Sequence, residues 1–413
     1  MPAPEGQSAA FQSPGALRRS DAEGANVNAP RTAGGREPLD EPASPTTAAS
    51  ELVHLDWRPY RFRLPRALVT AHGALQQRQG WLLRLRGPHG LGWGEAVAWP
   101  EDRTGQPKAL APPQGAWRRE ELEGLLPSLP APLACAVGAA LAELDGEPVA
   151  QDGGWLPAPA SAWLLPAGEA ALPALTECLE RWARNPAGAG ADGRAPSEAL
   201  EKASLFAVAP SPACGADPRS KAGASEVPLT LKWKVAAVED ALERDILTRL
   251  LALLPPTARL RLDANGGWDR CTATAWARRL AGEARLEWLE QPLDPTDAEG
   301  LLALARLLPV ALDESLRHAS PPPSPWQGWQ VRRPLLEGDP RPLLAALRRG
   351  QPRQMVSTAL ETGIGRRWLA HLAALQSLGP TPVAPGLAPG WRPAGELFSA
   401  DPQRVWRAAG RCR

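Results

Sequence analysis

Residues 228–236 read Pro-Leu-Thr-Leu-Lys-Trp-Lys-Val-Ala, an apolar run with lysine at positions 232 and 234. Only five of the 46 basic residues of the chain are lysines, and none follows Lys234. Arginine supplies charge but keeps its proton at neutral pH, whereas lysine can lose its proton once burial or a nearby cation lowers its pKa. The two lysines retained here therefore predict that at least one amine acts as a base.

Lys232 and Lys234 lie two residues apart, so in a β-strand both side chains point to the same face. Their Cα atoms are then about 6.6 Å apart, at about 3.3 Å per residue. Trp233 and the apolar flanking residues indicate a central strand, whose inward face would bury both amines. In the alternative interpretation the run is an edge strand with two solvated lysines. With a divalent cation nearby, two buried ammonium groups predict a lowered pKa for at least one of them.

Similar apolar runs recur from residue 161 onward, and a stretch with helical periodicity follows each of them. The runs are Ser161–Leu165, Thr230–Val235, Arg259–Asp263, Leu286–Glu290, Val310–Asp313, Trp329–Arg333, Gln354–Thr358 and, more weakly, Thr381–Ala384. From Lys234 onward their polar ends are spaced by about 20 to 29 residues, which is the length of one strand and one crossover helix. Eight such units predict a TIM-type parallel barrel, with the carboxyl ends of the strands at one mouth.

The residues before the barrel divide into a tail and a smaller domain. Residues 1–52 are rich in Ala, Pro, Gly and Ser and predict a disordered tail, and residues 185–227, within the barrel domain, predict a disordered insert for the same reason. Residues 53–152 predict an α+β capping domain, and residues 153–385 the barrel domain. The predicted capping strands and helices are Trp57–Leu64, Gly80–Arg86, Leu91–Ala98, Arg118–Leu126 and Ala131–Leu144.

Composition argues against several classes of protein. A net charge of +1 gives no reason to expect nucleic acid or an anionic membrane as a partner. No run of about 18 apolar residues predicts a membrane span. The five cysteines are scattered without a Cys-x-x-Cys motif, which argues against a zinc site and for a reducing compartment, so we expect a cytoplasmic protein. Acidic residues in the tail argue against a signal peptide.

Asp263, Glu290 and Asp313 end three consecutive predicted strands. Neighbouring parallel strands would bring these acids together, and each pair of like charges at 4 Å costs about 4 kcal/mol at an effective dielectric of about 20. The acids therefore predict a bound cation. Ligands that are all oxygen favour Mg²⁺ over zinc, with Mn²⁺ as a possible substitute. In the alternative interpretation each acid only caps the helix that follows it.

Further candidate residues lie beside these acids. Arg261 shares a strand face with Asp263, and Asn265 lies just beyond it. Each is predicted either to contact the substrate or to serve packing or capping. Glu314 follows Asp313 and is predicted to hold the metal ligands or a lysine in place without binding the metal itself.

Taken in order and spacing, these motifs resemble the enolase superfamily from about Trp57 to the C-terminus. They are Lys-Trp-Lys at 232–234, Asp-Ala-Asn at 263–265, Glu-Gln-Pro at 290–292, Asp-Glu-Ser at 313–315 and Ser-Thr-Ala-Leu-Glu-Thr-Gly-Ile-Gly at 357–365. Other details make the chain similar to the o-succinylbenzoate synthase family. They are the Ala71-His-Gly-Ala loop with Arg78, the Gly92-Trp-Gly-Glu95 hairpin, the Leu-Lys-Trp-Lys-Val run and Glu361-Thr-Gly-Ile-Gly-Arg366.

The resemblance implies a modified (β/α)₇β barrel under an α+β cap, to which residues 386–413 return. It also implies the loss of water from 2-succinyl-6-hydroxy-2,4-cyclohexadiene-1-carboxylate in menaquinone or phylloquinone biosynthesis. The three acids would hold Mg²⁺, Lys234 would remove the proton alpha to the substrate carboxylate, and Lys232 would add positive charge. Ser357 and Thr358, at the end of the seventh strand, would bind the succinyl carboxylate.

One residue departs from the family pattern. The family has a lysine before the proline that follows the sixth strand, and this chain has Arg333 there. Arginine cannot be a second base, although it can face the substrate's developing negative charge. A racemase needs two bases whereas a syn dehydration needs one, so Arg333 favours the dehydration. The other interpretations are an acylamino-acid racemase or cycloisomerase, and a metal-binding protein that has lost catalysis.

Overall fold

Two β-sheets organise the described part of the chain, which in this computed structural model comprises residues 51–97, 113–184, 228–317 and 326–410. The first sheet is four-stranded and antiparallel, and the second is seven-stranded and parallel. The predicted disordered tail lies outside the described residues except for its last two residues, and the predicted disordered insert lies outside them entirely.

The antiparallel sheet comes first in the chain. Its strands are β1 (Leu52–Thr70), β2 (Gly73–Gly87), β3 (Gly90–Val97) and β4 (Gly115–Arg118), in the order β3-β2-β1-β4. The helices α1 (Arg119–Leu125), α2 (Ala131–Leu144) and α3 (Glu147–Ala150) follow it. The sequence did not predict β4, a four-residue strand that pairs with the first residues of β1, because a run this short carries no periodicity.

Helix α2 packs very closely against β3, and two glycines make this possible. A Cβ built on Gly92 would lie 1.8 Å from the carbonyl oxygen of Ala140, and one built on Gly94 would lie 2.0 Å from that of Ala136. The helix in turn presents small residues, with Ala136 and Ala140 fully buried. Backbone therefore packs on backbone here, and neither glycine position has room for a side chain.

The parallel sheet curls into the barrel. Its strands are β5 (Trp163–Leu165), β6 (Thr230–Lys234), β7 (Arg259–Asp263), β8 (Leu286–Glu290), β9 (Val310–Leu312), β10 (Trp329–Arg332) and β11 (Gln354–Val356), each beside the next. The helices are α4 (Ala171–Arg184), α5 (Asp240–Leu253), α6 (Arg270–Leu280), α7 (Ala298–Ala305), α8 (Arg341–Arg348), α9 (Gly363–Ser377) and α10 (Pro402–Ala409). The predicted modified TIM-type barrel with an α+β capping domain is therefore confirmed as the fold class.

The predicted eighth strand is wrong. Residues 381–384 form no strand, and the gap between β11 and β5 is bridged by two residues just beyond them. Gly386 donates to the carbonyl of Val356 at 2.9 Å, while the carbonyl of Pro385 accepts from Ala162 at 2.9 Å. The prolines of this segment (380, 382 and 385) lack the N–H that a central strand must donate, so a regular strand cannot form.

Strand β6 alternates in the way that the sequence predicted. Trp233 is fully buried in the apolar layer between the sheet and the helices, where Ile246 and Leu250 of α5 also pack. Lys232 and Lys234 point to the other face and are only 6% and 5% exposed. The interpretation of β6 as a solvated edge strand is therefore wrong.

The C-terminal helix packs on the antiparallel sheet. Val405 and Trp406 of α10 are buried in one cluster with Tyr60, Leu82 and Trp93. The predicted domain boundaries and the return of 386–413 to the cap stay predictions, although this contact is consistent with them. In the described residues, no helix combines the length and apolar character that crossing a bilayer needs.

The close packing of α2 on β3 leads to a first prediction. Gly94→Ala should lower the free energy of unfolding by about 2–3 kcal/mol, because the added methyl group would clash with the backbone of α2. Urea unfolding followed by circular dichroism measures this. The matched control is Gly124→Ala in α1, where a Cβ meets nothing within 4 Å. It should leave stability unchanged or raise it by up to about 1 kcal/mol. Equal midpoints for both variants would contradict the packing.

Candidate active site

The ends of adjacent strands bring the predicted site residues together. Lys234 is in register with Asp263, and Asp263 is in register with Glu290. Asp313 directly follows β9, and Arg333 directly follows β10. All five are buried, and the three acids are completely inaccessible to solvent. The strand order therefore gathers five charged groups at one mouth of the barrel.

The two lysines face the acids directly. Lys232 Nζ lies 2.5 Å from Glu290 Oε1 and 2.6 Å from Asp263 Oδ2. Lys234 Nζ lies 2.6 Å from the same Asp263 oxygen and donates to Asn265 Oδ1 at 2.7 Å. Asn265 in turn donates from Nδ2 to Glu314 Oε1 at 3.1 Å. One carboxylate oxygen thus contacts both ammonium groups, and Asn265 connects Lys234 to Glu314.

These contacts determine the pKa of Lys232. Burial by itself lowers it, but the carboxylates of Asp263 and Glu290 more than offset burial, so the pKa lies above its ordinary value. The prediction that a nearby divalent cation lowers the pKa of at least one of the two lysines stays a prediction, but the two carboxylates that contact Lys232 hold its ammonium charged. Lys232 is therefore suited to be a fixed cation rather than a base.

The acids differ in how well their charge is balanced. Burial raises the pKa of Asp263, but Lys232 and Lys234 outweigh it and hold the pKa well below its usual range. For Glu290, burial and the charge of Asp263 outweigh Lys232 and raise the pKa to about 7. Its Oε2 is also buried without a hydrogen-bond partner. Glu290 is thus a buried carboxylate with one oxygen free to bind a further cation.

The donor set fits a hard divalent cation. Asp263, Glu290 and Asp313 offer only carboxylate oxygens, which suit Mg²⁺, and the unpartnered Glu290 oxygen is available to it. In the described residues, however, no three acidic, histidine or cysteine side chains converge closely enough to hold a metal ion as placed. Each of the three carboxylates is turned instead to a cation of the chain.

Arg333 forms the opposite side of the site. Its Nε lies 2.9 Å from both oxygens of Asp313, and Nη2 lies 2.5 Å from Oδ2. Nη1 donates to the carbonyl of Thr358. Burial lowers the pKa of Arg333, but Asp313 raises it further, so the guanidinium keeps its charge. The sequence did not identify Arg317, whose Nη2 lies 3.0 Å from Asp313 Oδ1. Its position four residues after Asp313 was the available signal.

Arg261 does not reach the mouth. Its Nε donates to Glu287 Oε2 at 2.6 Å, and its guanidinium lies 4.1 Å from the centroid of a Trp288 ring. It is fully buried two residues before Asp263, in the interior of the barrel. The prediction that Arg261 and Asp263 share a strand face was correct. The same alternation, however, places Arg261 two residues earlier and so one layer of side chains below the acids. We therefore leave Arg261 out of the proposed substrate contacts.

The remaining predicted residues lie at the rim of the site. Ser357 Oγ donates to the carbonyl of Gly386 at 3.3 Å, and Thr358 Oγ1 donates to Glu361 Oε2 at 2.7 Å. Glu314 has one buried oxygen without a partner. Burial and the charge of Asp313 raise its pKa. Both hydroxyl groups are thus already held by the chain, and Glu314 lies beside Asp313 and Asn265.

The antiparallel sheet contributes two buried charged residues for which the sequence predicted no role. Arg78 Nε donates to the carbonyl of Ala359 at 3.0 Å. Glu95 accepts hydrogen bonds from the Tyr60 hydroxyl at 2.7 Å, the Thr362 hydroxyl at 2.6 Å and the Gly365 amide at 2.9 Å. The cap thereby holds the segment between β11 and α9. A single charged residue in an otherwise apolar strand was the available signal for Glu95.

Comparisons with known proteins identify the family to which the chain belongs. A family model described as enolase C-terminal domain-like matches residues 224–320. An o-succinylbenzoate synthase of Thermosynechococcus vestitus is 33% identical over 342 residues, which cover 76% of this chain and 87% of that relative. The chain belongs to the o-succinylbenzoate synthase family of the enolase superfamily.

Solved structures show the same fold. The crystal structure of o-succinylbenzoate synthase from Thermosynechococcus elongatus, complexed with Mg in the active site, matches with a TM-score of 0.59 and 27% identity over 86% of this chain and 99% of that one. An N-succinyl Arg/Lys racemase from Bacillus cereus matches with a TM-score of 0.58 but only 15% identity, over 84% of this chain and 89% of that one. The racemase therefore supports the fold alone.

The unpartnered oxygen of Glu290 leads to a second prediction. Mg²⁺ should bind the protein, and Glu290→Gln should weaken binding about 10-fold or more, because a charged oxygen donor is lost. Isothermal titration calorimetry without substrate measures this. The control is Glu283→Gln, which removes a surface partner of Arg285 and should leave Mg²⁺ affinity unchanged. Equal affinity in wild type and Glu290→Gln would remove Glu290 from the metal ligands.

Proposed function

We propose that this protein is a Mg²⁺-dependent o-succinylbenzoate synthase. It would remove water from 2-succinyl-6-hydroxy-2,4-cyclohexadiene-1-carboxylate to give 2-succinylbenzoate, which makes it a carbon–oxygen lyase. The observation that carries the proposal is the buried pair Lys232 and Lys234, both in contact with Asp263 at the barrel mouth. Family membership supports the same substrate class, because the similar Thermosynechococcus protein bears this activity in its name.

Lys234 is the base in this proposal. The Lys234 ammonium beside Asp263 first releases its proton. The neutral amine then takes the proton from the ring carbon that carries the carboxylate, and the electron pair moves into the carboxylate to form an enediolate. As the enediolate collapses, the bond to the ring hydroxyl breaks, and protonated Lys234 returns the proton to the departing oxygen. One water leaves, the ring becomes aromatic, and the amine is neutral again. A single base on one face is therefore sufficient.

Charge stabilisation of the enediolate falls to the other groups. Mg²⁺ held by Asp263, Glu290 and Asp313 would supply Lewis-acid stabilisation of the carboxylate oxygens when bound; Mn²⁺ is a possible substitute. Lys232 is a permanent cation beside the same acids. Arg333, held by Asp313 and Thr358, places a second permanent positive charge on the opposite side. Preorganised cations of this kind stabilise negative charge that develops in the transition state.

The rim would bind the rest of the substrate. Ser357 and Thr358 are proposed to contact the succinyl carboxylate by turning their hydroxyl groups away from Gly386 and Glu361. Asn265 is proposed to orient Lys234 through their hydrogen bond. Glu314 would hold Asn265 in place. Arg78 and Glu95 of the cap hold residues 359–362, which follow Ser357 and Thr358. We further propose a role in menaquinone or phylloquinone biosynthesis, in the cytoplasm, with no nucleic-acid or membrane partner.

Arg333 weighs against a two-base reaction. A racemase of this fold needs a second group that loses a proton on the other face of the substrate, and arginine does not do so. Its bidentate contact with Asp313 also holds the guanidinium fully charged. The similarity to solved racemase and epimerase structures, which is below 25% identity, supports only the fold.

The assignment of Lys234 gives a third prediction. Lys234→Arg should reduce kcat by about 10³-fold, because arginine keeps the charge but cannot accept the proton. Turnover of the cyclohexadiene carboxylate, followed by the ultraviolet change on aromatisation, measures this. The matched variant is Lys232→Arg, two residues away, which preserves the only property proposed for Lys232 and should lose much less activity. Comparable activity of Lys234→Arg and wild type would refute the base.

One-base chemistry gives a fourth prediction. In D₂O the enzyme should exchange the α-proton of at most one enantiomer of an N-succinyl amino acid and should not interconvert the enantiomers. Proton NMR follows the exchange, and chiral chromatography follows interconversion. Arg333→Lys supplies an amine on the opposite side and is the variant in which exchange of the second enantiomer is expected to appear. Racemisation by wild type would favour the acylamino-acid racemase interpretation. Absence of turnover with every substrate, together with retained Mg²⁺ binding, would favour a homologue without catalysis.

A further inference from the structure

The loop that follows Lys234 has a strained backbone. Ala236 has a φ of 57°, in the left-handed region that residues with a Cβ rarely adopt. This conformation costs about 1–2 kcal/mol for a residue other than glycine. Such strain persists only where surrounding contacts hold it. The loop therefore needs a restraint, and it lies only two residues from the proposed base.

Glu243 of α5 supplies that restraint. Its Oε2 accepts a hydrogen bond from the amide of Ala236 at 2.8 Å, and its Oε1 accepts from Ala237 at 2.9 Å and Val238 at 3.2 Å. The side chain is completely inaccessible to solvent. Three successive amides that converge on one buried carboxylate form charge-assisted bonds, which are stronger than neutral ones.

The other side of the loop packs against the turn that follows Asn265. A Cβ built on Gly267 would lie 2.8 Å from Ala236 Cβ and 2.7 Å from Ala71 Cβ, at the tip of the β1–β2 hairpin. Ala236 is thus confined between Glu243 and Gly267, and Gly267 in turn packs against Ala71 of the cap hairpin. At the strand end, Val235 donates to the carbonyl of Asp263 at 3.0 Å. The backbone around Lys234 is therefore held on both sides.

We propose that Glu243 is a positioning residue, which holds the loop Ala236–Val238 so that the Lys234 amine stays within reach of Asp263 and Asn265. It touches no group that reacts, and it acts through the backbone that carries the base. The inference rests on the proposed role of Lys234 and adds a residue outside the motifs that define the site. A purely structural role would instead lower stability without a selective effect on proton transfer.

Glu243→Gln tests this proposal. The variant keeps the size of the side chain, but one of its oxygens becomes an NH₂ group, which cannot accept a bond from a backbone amide. We expect faster hydrogen–deuterium exchange in the segment 236–238. We also expect a 10- to 100-fold lower kcat, with KM and Mg²⁺ affinity within twofold of wild type. The deuterium isotope effect at the abstracted position should increase, because proton transfer becomes slower.

The matched control is Glu143→Gln. Glu143 is a carboxylate of α2 that binds Arg367 and Trp368 and has no contact with the candidate site. This variant should lose stability while kcat and the isotope effect stay at wild-type values. The proposal is overturned if Glu243→Gln shows faster exchange at 236–238 but a kcat within twofold of wild type. It is also overturned if the loss in kcat merely follows stability in both variants.

Ala236→Gly provides a rescue experiment. Glycine adopts a positive φ without a steric penalty, so the loop needs less restraint from Glu243. The double variant should have a kcat at least threefold higher than that of Glu243→Gln. Ala236→Gly alone should change kcat less than twofold from wild type. This double variant also serves if Glu243→Gln does not fold by itself. No recovery of kcat in the folded double variant would overturn the link through Ala236.

Failure of the proposed function can be told apart from failure of this inference. If wild type does not turn over the cyclohexadiene carboxylate, the function fails, and the crystal structure of Glu243→Gln becomes the test of the inference. Lys234 Nζ must then leave hydrogen-bonding distance of Asp263 or Asn265. If both bonds persist while the loop 236–238 has moved, Glu243 does not position the amine.

Discussion

Balance of charge inside the barrel mouth is the interaction on which the rest of the structure depends. Asp263, Glu290 and Asp313 are completely buried, and each contacts at least one cation of the chain. Removal of one partner from a buried ion pair costs about 3–5 kcal/mol, because the remaining charge has no solvent. Loss of Lys232 or Arg333 would therefore destabilise the fold as well as the proposed transition state. Of the three acids, Glu290 has its negative charge least fully offset by cations, and its pKa is raised to about 7. Its Oε2 is also buried without a hydrogen-bond partner.

The barrel depends on its cap for part of the site. Residues 359–362 lead from the last strand to α9, and this segment and the first turn of α9 are held by Arg78 and Glu95 of the antiparallel sheet. The loop after Lys234 is confined in a comparable way between Glu243 and the turn at Gly267. In both places a buried charged side chain satisfies backbone groups that no regular element pairs. The proposed site is thus held in position by buried charged residues that bind its backbone.

Function in this fold is decided by a few side chains rather than by the architecture. Solved racemase and epimerase structures share the fold at 15–16% identity, so the barrel alone does not distinguish one-base from two-base chemistry. Lys234 and Arg333 face the same group of acids from opposite sides, and only one of them can release a proton. This difference in chemistry between the two side chains is what favours dehydration.

The sequence by itself determined the barrel, the bounds of β7 and β8, and the strand ends that carry the acids, because strand alternation and βα spacing are local properties of the chain. Only the tertiary structure decided the rest. It closed the barrel through Pro385 and Gly386 and placed Arg261 below the site. It also brought Glu95 to the backbone of a segment distant in sequence, and Glu243 to the irregular backbone of the loop after β6. These contacts depend on how elements pack in three dimensions, and the residue pattern of one element does not encode which backbone amide a buried carboxylate will meet.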